Sequence, residues 1–239
     1  ALDLVAPDIY MSDSARYLKV LELYHRPDNA LFVPETGSSP AYARYFFSVL
    51  GNQGIGFSPF GVDYTGFSNA PLGAARMNEE TLAQFALNYK VVGPMMREIA
   101  KLSFEGKVQA ILPEVNAATR TEEKETHSRT LDFGDWTAVV SYGTPGFGRG
   151  DNPRGNAEPT GRALVARLGP NEFLVTGLFC RVDFRNADSG KQREFLRVEE
   201  GAYANGVFKP SRLWNGDQTD WGLNFTSAPQ VLRVTLGTF

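Results

Sequence analysis

The order of apolar and amphipathic segments along the chain limits the fold more than any other feature of the sequence. In the first 110 residues, mostly apolar runs at 2–6 and 30–33 and a third strand candidate at 54–58 are each followed by a segment in which apolar residues recur at helical spacing. Strands that alternate with helices pair in parallel and are covered on both faces, which favours such runs. The sequence therefore predicts βα-repeat architecture for residues 1–110. Because three units do not complete a (β/α)₈ barrel, we interpret them as the C-terminal portion of one.

The predicted helices have recognisable ends. Asp13 or Ser14 can cap the first helix, and Ser39, followed by a proline at the first helical position, can cap the second. A longer third helix begins near Asn78, after a long loop. We expect Gly93-Pro94 to kink this helix, because proline lacks an N–H group and its ring crowds the preceding turn.

The pattern changes at about residue 125, where short β-forming runs separated by turn residues replace the helices. The predicted strands of this part are 136–142, 162–168, 172–178, 179–184, 195–199, 202–207, 222–226 and 230–236. Their number and spacing predict an antiparallel β-sandwich or jelly roll over residues 125–239, and we assign residues 111–124 to the connection.

Composition and charge exclude several classes of protein. The hydrophobic content of 42% allows a proper core, and the net charge of −3 comes without the basic patch that a nucleic-acid partner requires. The single cysteine, Cys180, excludes an internal disulfide framework and a multi-cysteine metal site. Neither His25 nor His127 has partners at metal-ligand spacing, so we expect no metal. No segment approaches the length of a membrane span.

Candidate functional residues follow the apolar runs, since active sites of βα barrels lie at the C-terminal ends of the strands. Glu35 comes directly after the second run, and Pro34 restricts the backbone beside it. We interpret Glu35 as functional, against the alternative of a surface glutamate in a βα loop. Asp8 and Tyr10 follow the first run, where the Tyr10 phenol could hydrogen-bond and orient a neighbouring carboxylate.

Two aromatic residues, one within and one after the third strand candidate, complete the candidate site. Phe57 and Phe60 could form an apolar floor or wall for a sugar ring, although core packing is the ordinary role of a phenylalanine.

The segments that carry these residues resemble a known family. Leu-Val-Ala-Pro-Asp-Ile-Tyr at 4–10, Leu-Phe-Val-Pro-Glu-Thr at 31–36 and Gly-Ile-Gly-Phe-Ser-Pro-Phe-Gly-Val-Asp at 54–63 are similar, in order and spacing, to the last three barrel strands of family 35 glycoside hydrolases, the β-galactosidases. The segment 89–96 resembles the closing barrel helix of the bacterial members in which a β domain follows the barrel. The resemblance covers nearly the whole chain, more loosely in the β region.

The resemblance implies a retaining enzyme that removes terminal β-linked galactose from oligo- or polysaccharides, without a cofactor. Glu35 would be the nucleophile, with Asp8, Tyr10, Phe57 and Phe60 around the sugar. Relatives are often exported, which favours a periplasmic or extracellular location. The family's acid/base glutamate lies in an Asn-Glu pair after the fourth barrel strand, and no such strand-end pair occurs in these residues. We therefore expect the N-terminal remainder of the barrel, in the same polypeptide or a second chain, as a partner.

Tryptophan residues support a competing hypothesis. Trp136, Trp214 and Trp221 belong to the predicted β part, and exposed tryptophans on a β-sandwich can stack against sugar rings. The alternative is therefore a non-catalytic carbohydrate-binding or scaffolding protein whose degenerate barrel supports the β domain.

Overall fold

The computed structural model describes residues 2–63, 65, 68, 70, 74–113, 128–142 and 160–239. Most of the predicted connection lies outside these ranges. The helices are α1 Ser14–Tyr24, α2 Pro40–Ala43, α3 Tyr45–Gly51, α4 Glu79–Val92, α5 Met96–Phe104 and α6 Gly216–Thr219, with a 3₁₀ turn at Gly93–Met95. The strands are β1 Asp8–Ile9, β2 Phe32–Thr36, β3 Gly56–Pro59, β4 Val108–Ile111, β5 Ser128–Asp132, β6 Trp136–Tyr142, β7 Arg162–Gly169, β8 Glu172–Leu178, β9 Cys180–Asn186, β10 Arg193–Ala204, β11 Val207–Leu213, β12 Leu223–Phe225 and β13 Val231–Thr238.

The N-terminal part contains a parallel three-stranded sheet in the order β1-β2-β3. Helix α1 connects β1 to β2, and α2 and α3 together connect β2 to β3. The βα alternation expected from the sequence is therefore present over these three units.

The first predicted strand was wrong in position. Residues 2–6 form no strand, and Leu2 is 84% exposed. The backbone of Val5 bonds instead to the Asn29 side chain, through its N–H to Oδ1 at 2.9 Å and its carbonyl to Nδ2 at 3.0 Å. A side-chain amide thus satisfies backbone groups that a neighbouring strand would otherwise pair, and strand pairing begins only at Asp8.

Two helix starts follow the sequence prediction. The Asp13 side chain accepts a hydrogen bond from the Arg16 N–H, and the Asn78 side chain accepts one from the Thr81 N–H, both at 2.9 Å. Ser39 precedes α2 but makes no side-chain cap bond. The helix predicted after it is divided at Arg44 into α2 and α3. The kink expected at Gly93-Pro94 is the 3₁₀ turn between α4 and α5.

The C-terminal part consists of two antiparallel sheets that enclose a core. The larger sheet has the order β11-β10-β13-β8-β7-β4, and the smaller has the order β12-β9-β6-β5. Strands β4 and β5, and β11 beyond its first residue, were not predicted. The predicted runs 195–199 and 202–207 belong to one long strand, β10, the turn after it and the first residue of β11. The β-rich character of this part agrees with the sequence prediction.

The larger sheet is the middle layer of the molecule, and its strands β7 and β8 are buried on both faces. Ala163, Val165 and Phe173 pack into the core between the two sheets, whereas Leu164 and Leu174 pack against the helices. This alternation, one residue to each side, is what β geometry requires of a strand covered on both faces. The middle sheet therefore connects the helical layer to the sandwich core.

A fully buried arginine at the start of β7 reinforces the same junction. The Arg162 Nε donates to Asn88 Oδ1 at 2.8 Å, Nη2 donates to the Gln84 carbonyl at 3.1 Å, and Nη1 donates to the Thr160 carbonyl at 2.6 Å. Asn88 and Gln84 lie on α4. Burial lowers the pKa of the Arg162 guanidinium, and the hydrogen bonds offset part of its desolvation.

The edge of the larger sheet carries an ionisable cluster with a predictable pH response. Partial burial raises the pKa of the Glu200 carboxyl. Hydrogen bonds from Trp214 Nε1 and Arg212 Nε, both 2.8 Å from Oε2, and the positive charge of Arg212 lower it. These lowering effects are larger than the effect of burial, so the pKa of Glu200 lies below its ordinary value. A carboxyl group whose pKa is lower in the folded than in the unfolded state stabilises the folded protein at pH values above its unfolded-state pKa. This stabilisation is lost as the pH falls through the folded-state pKa.

We therefore expect the free energy of unfolding of Glu200→Gln to depend less steeply on pH in the acid range, which we call the acid limb of the stability curve, than that of wild type. Wild type should lose free energy of unfolding as pH falls below 4.5, the ordinary value of this carboxyl, and the variant should lose less over that range. Urea unfolding at a series of pH values measures the difference. Glu194→Gln, at an exposed position on β10, is the control. An acid limb in Glu200→Gln as steep as that of wild type contradicts the assignment.

Candidate functional site

An irregularity in β2 determines which way Glu35 points. Val33 is opposite Phe57 on β3, but the next pair is Thr36 with Pro59, so that β2 has one residue more than β3 between the two pairs. Such a bulge interrupts the alternation of side chains and redirects the residue at the irregularity. Pro34 and Glu35 are the two residues within it.

The pairing with β1 shows the result of this bulge. Asp8 is opposite Glu35, and Ile9 is opposite Thr36. Ile9 and Thr36 are fully buried on the helix side, where the Tyr17 Oη of α1 lies 3.0 Å from Thr36 Oγ1. Asp8 and Glu35 therefore point to the other face, which we call the open face of the parallel sheet.

Glu35 is bonded on the open face by a phenol from the neighbouring strand end. The Tyr10 hydroxyl donates a hydrogen bond to Glu35 Oε1, and both side chains are half-buried. Within the described ranges, Glu35 Oε2 has no hydrogen-bond partner. Among the residues that the structure describes, the contact to the Glu35 carboxylate is thus made at Oε1.

Three buried tyrosines support the strand ends from the helix side; we call Tyr17, Tyr42 and Tyr45 the tyrosine cluster. The rings of Tyr17 and Tyr45 are stacked with centroids 3.6 Å apart, and Tyr42 is tilted against both. Burial raises the pKa of all three phenols, to about 12 in Tyr42, so they are hydrogen-bond donors at ordinary pH.

Each hydroxyl of the tyrosine cluster contacts a different part of the strand ends. The Thr36 hydroxyl donates to the Ile9 carbonyl at 2.7 Å, which leaves Tyr17 to donate to Thr36 Oγ1. The Tyr42 hydroxyl donates to the Tyr10 carbonyl, and the Tyr45 hydroxyl donates to the Ser12 carbonyl at 2.9 Å.

The structure does not bring both predicted aromatic residues to Glu35. The Phe57 ring packs edge-on against Phe46 of α3, with centroids 5.8 Å apart, because position 57 shares the helix-facing side of the sheet with Val33. Phe60, directly after β3, is half-buried, and its N–H donates to the carbonyl of Thr36, the last residue of β2, at 2.8 Å. Asp8, Tyr10 and Glu35 are the predicted site residues that share the open face.

Two features of the site were missed in the sequence. Phe32 is half-buried on the open face, and its ring lies over Gly56, where a Cβ would be 2.4 Å from Phe32 Cε2. The three residues of the tyrosine cluster were interpreted from the sequence only as apolar positions on one side of a helix. The available signal was chemical, since a buried tyrosine hydroxyl usually has a hydrogen-bond partner.

The three tryptophans occupy different environments in the β part. Trp136 is buried in the sandwich core, and its Nε1 donates to Asn171 Oδ1 at 3.0 Å. Trp214 is half-buried and bonded to Glu200. Trp221, directly after α6, is 57% exposed.

Among the residues that the structure describes, no three His, Cys, Asp or Glu side chains converge as metal ligands would. In the same part of the chain, every helix is too short or too polar to cross a membrane.

Comparison with known proteins identifies a family but assigns it no activity. The family model described as "Domain of unknown function (DUF5597)" matches residues 85–226, from within α4 to the end of β12. This range contains most of the β part and excludes Tyr10 and Glu35. No curated protein matches the chain.

Proposed function

The chain belongs to the DUF5597 family, and we propose that it is part of a retaining glycoside hydrolase that removes terminal β-linked galactose, with Glu35 as the nucleophile. The observation that carries the proposal is the pairing of Glu35 with Tyr10 at the C-terminal ends of two parallel strands. A carboxylate held there by a phenol at Oε1, with no bond to Oε2 from the described residues, is suited to attack a sugar carbon.

The parallel sheet supports a barrel origin for this part. In the proposal, β1, β2 and β3 are the last three strands of a (β/α)₈ barrel, and the open face is its interior. The resemblance of segments 4–10, 31–36 and 54–63 to barrel strands of family 35 enzymes agrees with the parallel order. The first five units then belong to chain outside these 239 residues.

The proposed reaction needs two carboxyl groups, about 5–5.5 Å apart in retaining enzymes. Glu35 Oε2 attacks the anomeric carbon of the galactoside while the second carboxyl, from the earlier barrel strands, protonates the leaving oxygen. The C–O bond to the aglycone breaks and a galactosyl ester of Glu35 forms. The second carboxylate then removes a proton from water, which attacks the same carbon and releases galactose with Glu35 regenerated as a carboxylate.

Tyr10 has a defined role in this scheme. Its hydrogen bond to Oε1 stabilises the ionised carboxylate and orients the free oxygen. The carboxyl chemistry requires no cofactor.

A covalent label tests the proposal on the full-length polypeptide. A 2-deoxy-2-fluoro-β-galactoside with a good leaving group should form a stable ester with the nucleophile. The fluorine slows both the formation and the hydrolysis of the covalent intermediate, and the good leaving group speeds only its formation, so the intermediate accumulates. We expect a mass increase of one fluorogalactosyl unit on the peptide that contains Glu35. A label on another carboxylate overturns the assignment. Absence of any label, together with reversible binding to galactan, supports the carbohydrate-binding alternative, for which the exposed Trp221 is the candidate contact.

A further inference from the structure

We propose that Tyr42, packed on Gly37, is the positioning residue that holds the Glu35–Tyr10 pair together. The inference rests on the proposed function and adds to it a residue that touches neither Glu35 nor the sugar. Tyr42 lies on α2, on the helix side of the sheet, whereas the pair it controls lies on the open face.

The first contact is to the strand end that carries Tyr10. The Tyr42 hydroxyl donates to the Tyr10 backbone carbonyl, and the Tyr10 phenol donates to Glu35. The backbone position from which the phenol reaches Glu35 is therefore held by Tyr42. Strand β1 has only two residues, Asp8 and Ile9, and Tyr10 lies just beyond its last pair with β2, so the Tyr42 contact adds to the strand pairing at the position that follows it.

The second contact is to the strand end that carries Glu35. Gly37 lies two residues beyond Glu35, and the Tyr42 ring covers it so closely that a Cβ at Gly37 would be 2.3 Å from Tyr42 Cε2. Only glycine allows the ring to take this position. The buried Tyr42 side chain thus contacts the chain just after Glu35 through its ring. Its hydroxyl contacts the Tyr10 carbonyl.

The hydroxyl is a permanent donor in this arrangement. A carbonyl oxygen accepts only, so the contact requires a protonated phenol. Burial raises the pKa of Tyr42 to about 12, which keeps it protonated at any pH where a carboxylate nucleophile works.

Tyr45 offers a matched control. It belongs to the same tyrosine cluster and is also buried, and its hydroxyl donates to the carbonyl of Ser12, two residues beyond Tyr10. Tyr45→Phe removes a buried hydroxyl from the same cluster, together with its bond to Ser12 and the bond that it accepts from Arg44 Nη2 at 2.8 Å, without touching the Tyr10 carbonyl. The comparison separates loss of a tyrosine hydroxyl from loss of this particular bond.

The test is a double-mutant cycle on the rate of labelling by the fluorogalactoside in the full-length polypeptide. Tyr42→Phe should label about tenfold more slowly than wild type, since small displacements of a reacting group have large effects on rate. Gly37→Ala should do the same by displacing the ring. In a Tyr10→Phe background, Tyr42→Phe should change the rate by less than about twofold, because it acts through Tyr10. Equal effects in both backgrounds indicate a merely structural role and overturn the inference.

A second measurement does not depend on activity. With ¹³C-labelled glutamate, the Cδ resonance of Glu35 is assigned by its loss in Glu35→Gln. We expect this resonance to shift in Tyr42→Phe and to stay in place in Tyr45→Phe. If it stays in place in both, the inference fails even when wild type is labelled at Glu35. If it shifts while wild type is never labelled, the proposed function fails and the positioning contact stands.

Discussion

Glu35→Gln should lower kcat/KM for a chromogenic β-galactoside by on the order of 10⁴-fold or more, the scale observed when a member of a covalent catalytic group is removed. The amide has the shape of the carboxylate and can still accept the Tyr10 hydrogen bond through its oxygen, but it is a poor nucleophile. The substitution therefore removes the covalent step and leaves the surrounding contacts in place. Steady-state kinetics on the full-length polypeptide measure the loss.

Two comparisons make this prediction specific. Glu22→Gln, at an exposed carboxylate on α1 paired with Lys19, should leave the kinetics unchanged. Glu35→Gly should regain turnover with added azide, which fits the space left by the side chain, attacks the anomeric carbon and yields the α-galactosyl azide. Activity within a few-fold of wild type in Glu35→Gln shows that another group is the nucleophile.

Arg162→Met should lower the free energy of unfolding by about 1–3 kcal/mol, the cost of leaving buried hydrogen-bond acceptors without their donor. Methionine fills much of the volume but donates no hydrogen bond. The Asn88 side-chain oxygen and the Gln84 and Thr160 carbonyls would each lose a donor in a buried environment. Since these contacts join α4 to β7, the loss weakens the junction between the helical layer and the middle sheet.

Chemical denaturation of the variant and of wild type measures the change. Arg212→Met is the control, because Arg212 is half exposed in its pair with Glu200 and such pairs contribute at most about 1 kcal/mol. Arg162→Lys should recover only part of the stability, because an ammonium group cannot reach the same three acceptors in one plane. A loss in Arg162→Met as small as that in Arg212→Met would show that the buried network contributes little.

The sequence by itself determined the features that depend on neighbouring residues. Asp13 and Asn78 cap helices through bonds to N–H groups three residues away, so a short segment contains both the signal and its partner. The alternation of strands and helices in the first part, and the β-rich second part, follow from apolar patterns of similarly short range. Glu35 and Tyr10 were assigned to the ends of adjacent parallel strands on the same grounds.

Only the tertiary structure decided which side each residue faces and which groups meet. The bulge at Pro34 directs Glu35 to the open face, and the same pairing leaves Phe57 on the helix side. Strand β1 begins later than its apolar run suggested because the Asn29 amide occupies the backbone of Val5. The Tyr42 hydroxyl meets a carbonyl 32 residues earlier in the chain. Register and such distant hydrogen bonds depend on how separate segments pack together, and a local pattern of apolar residues carries no information about that packing.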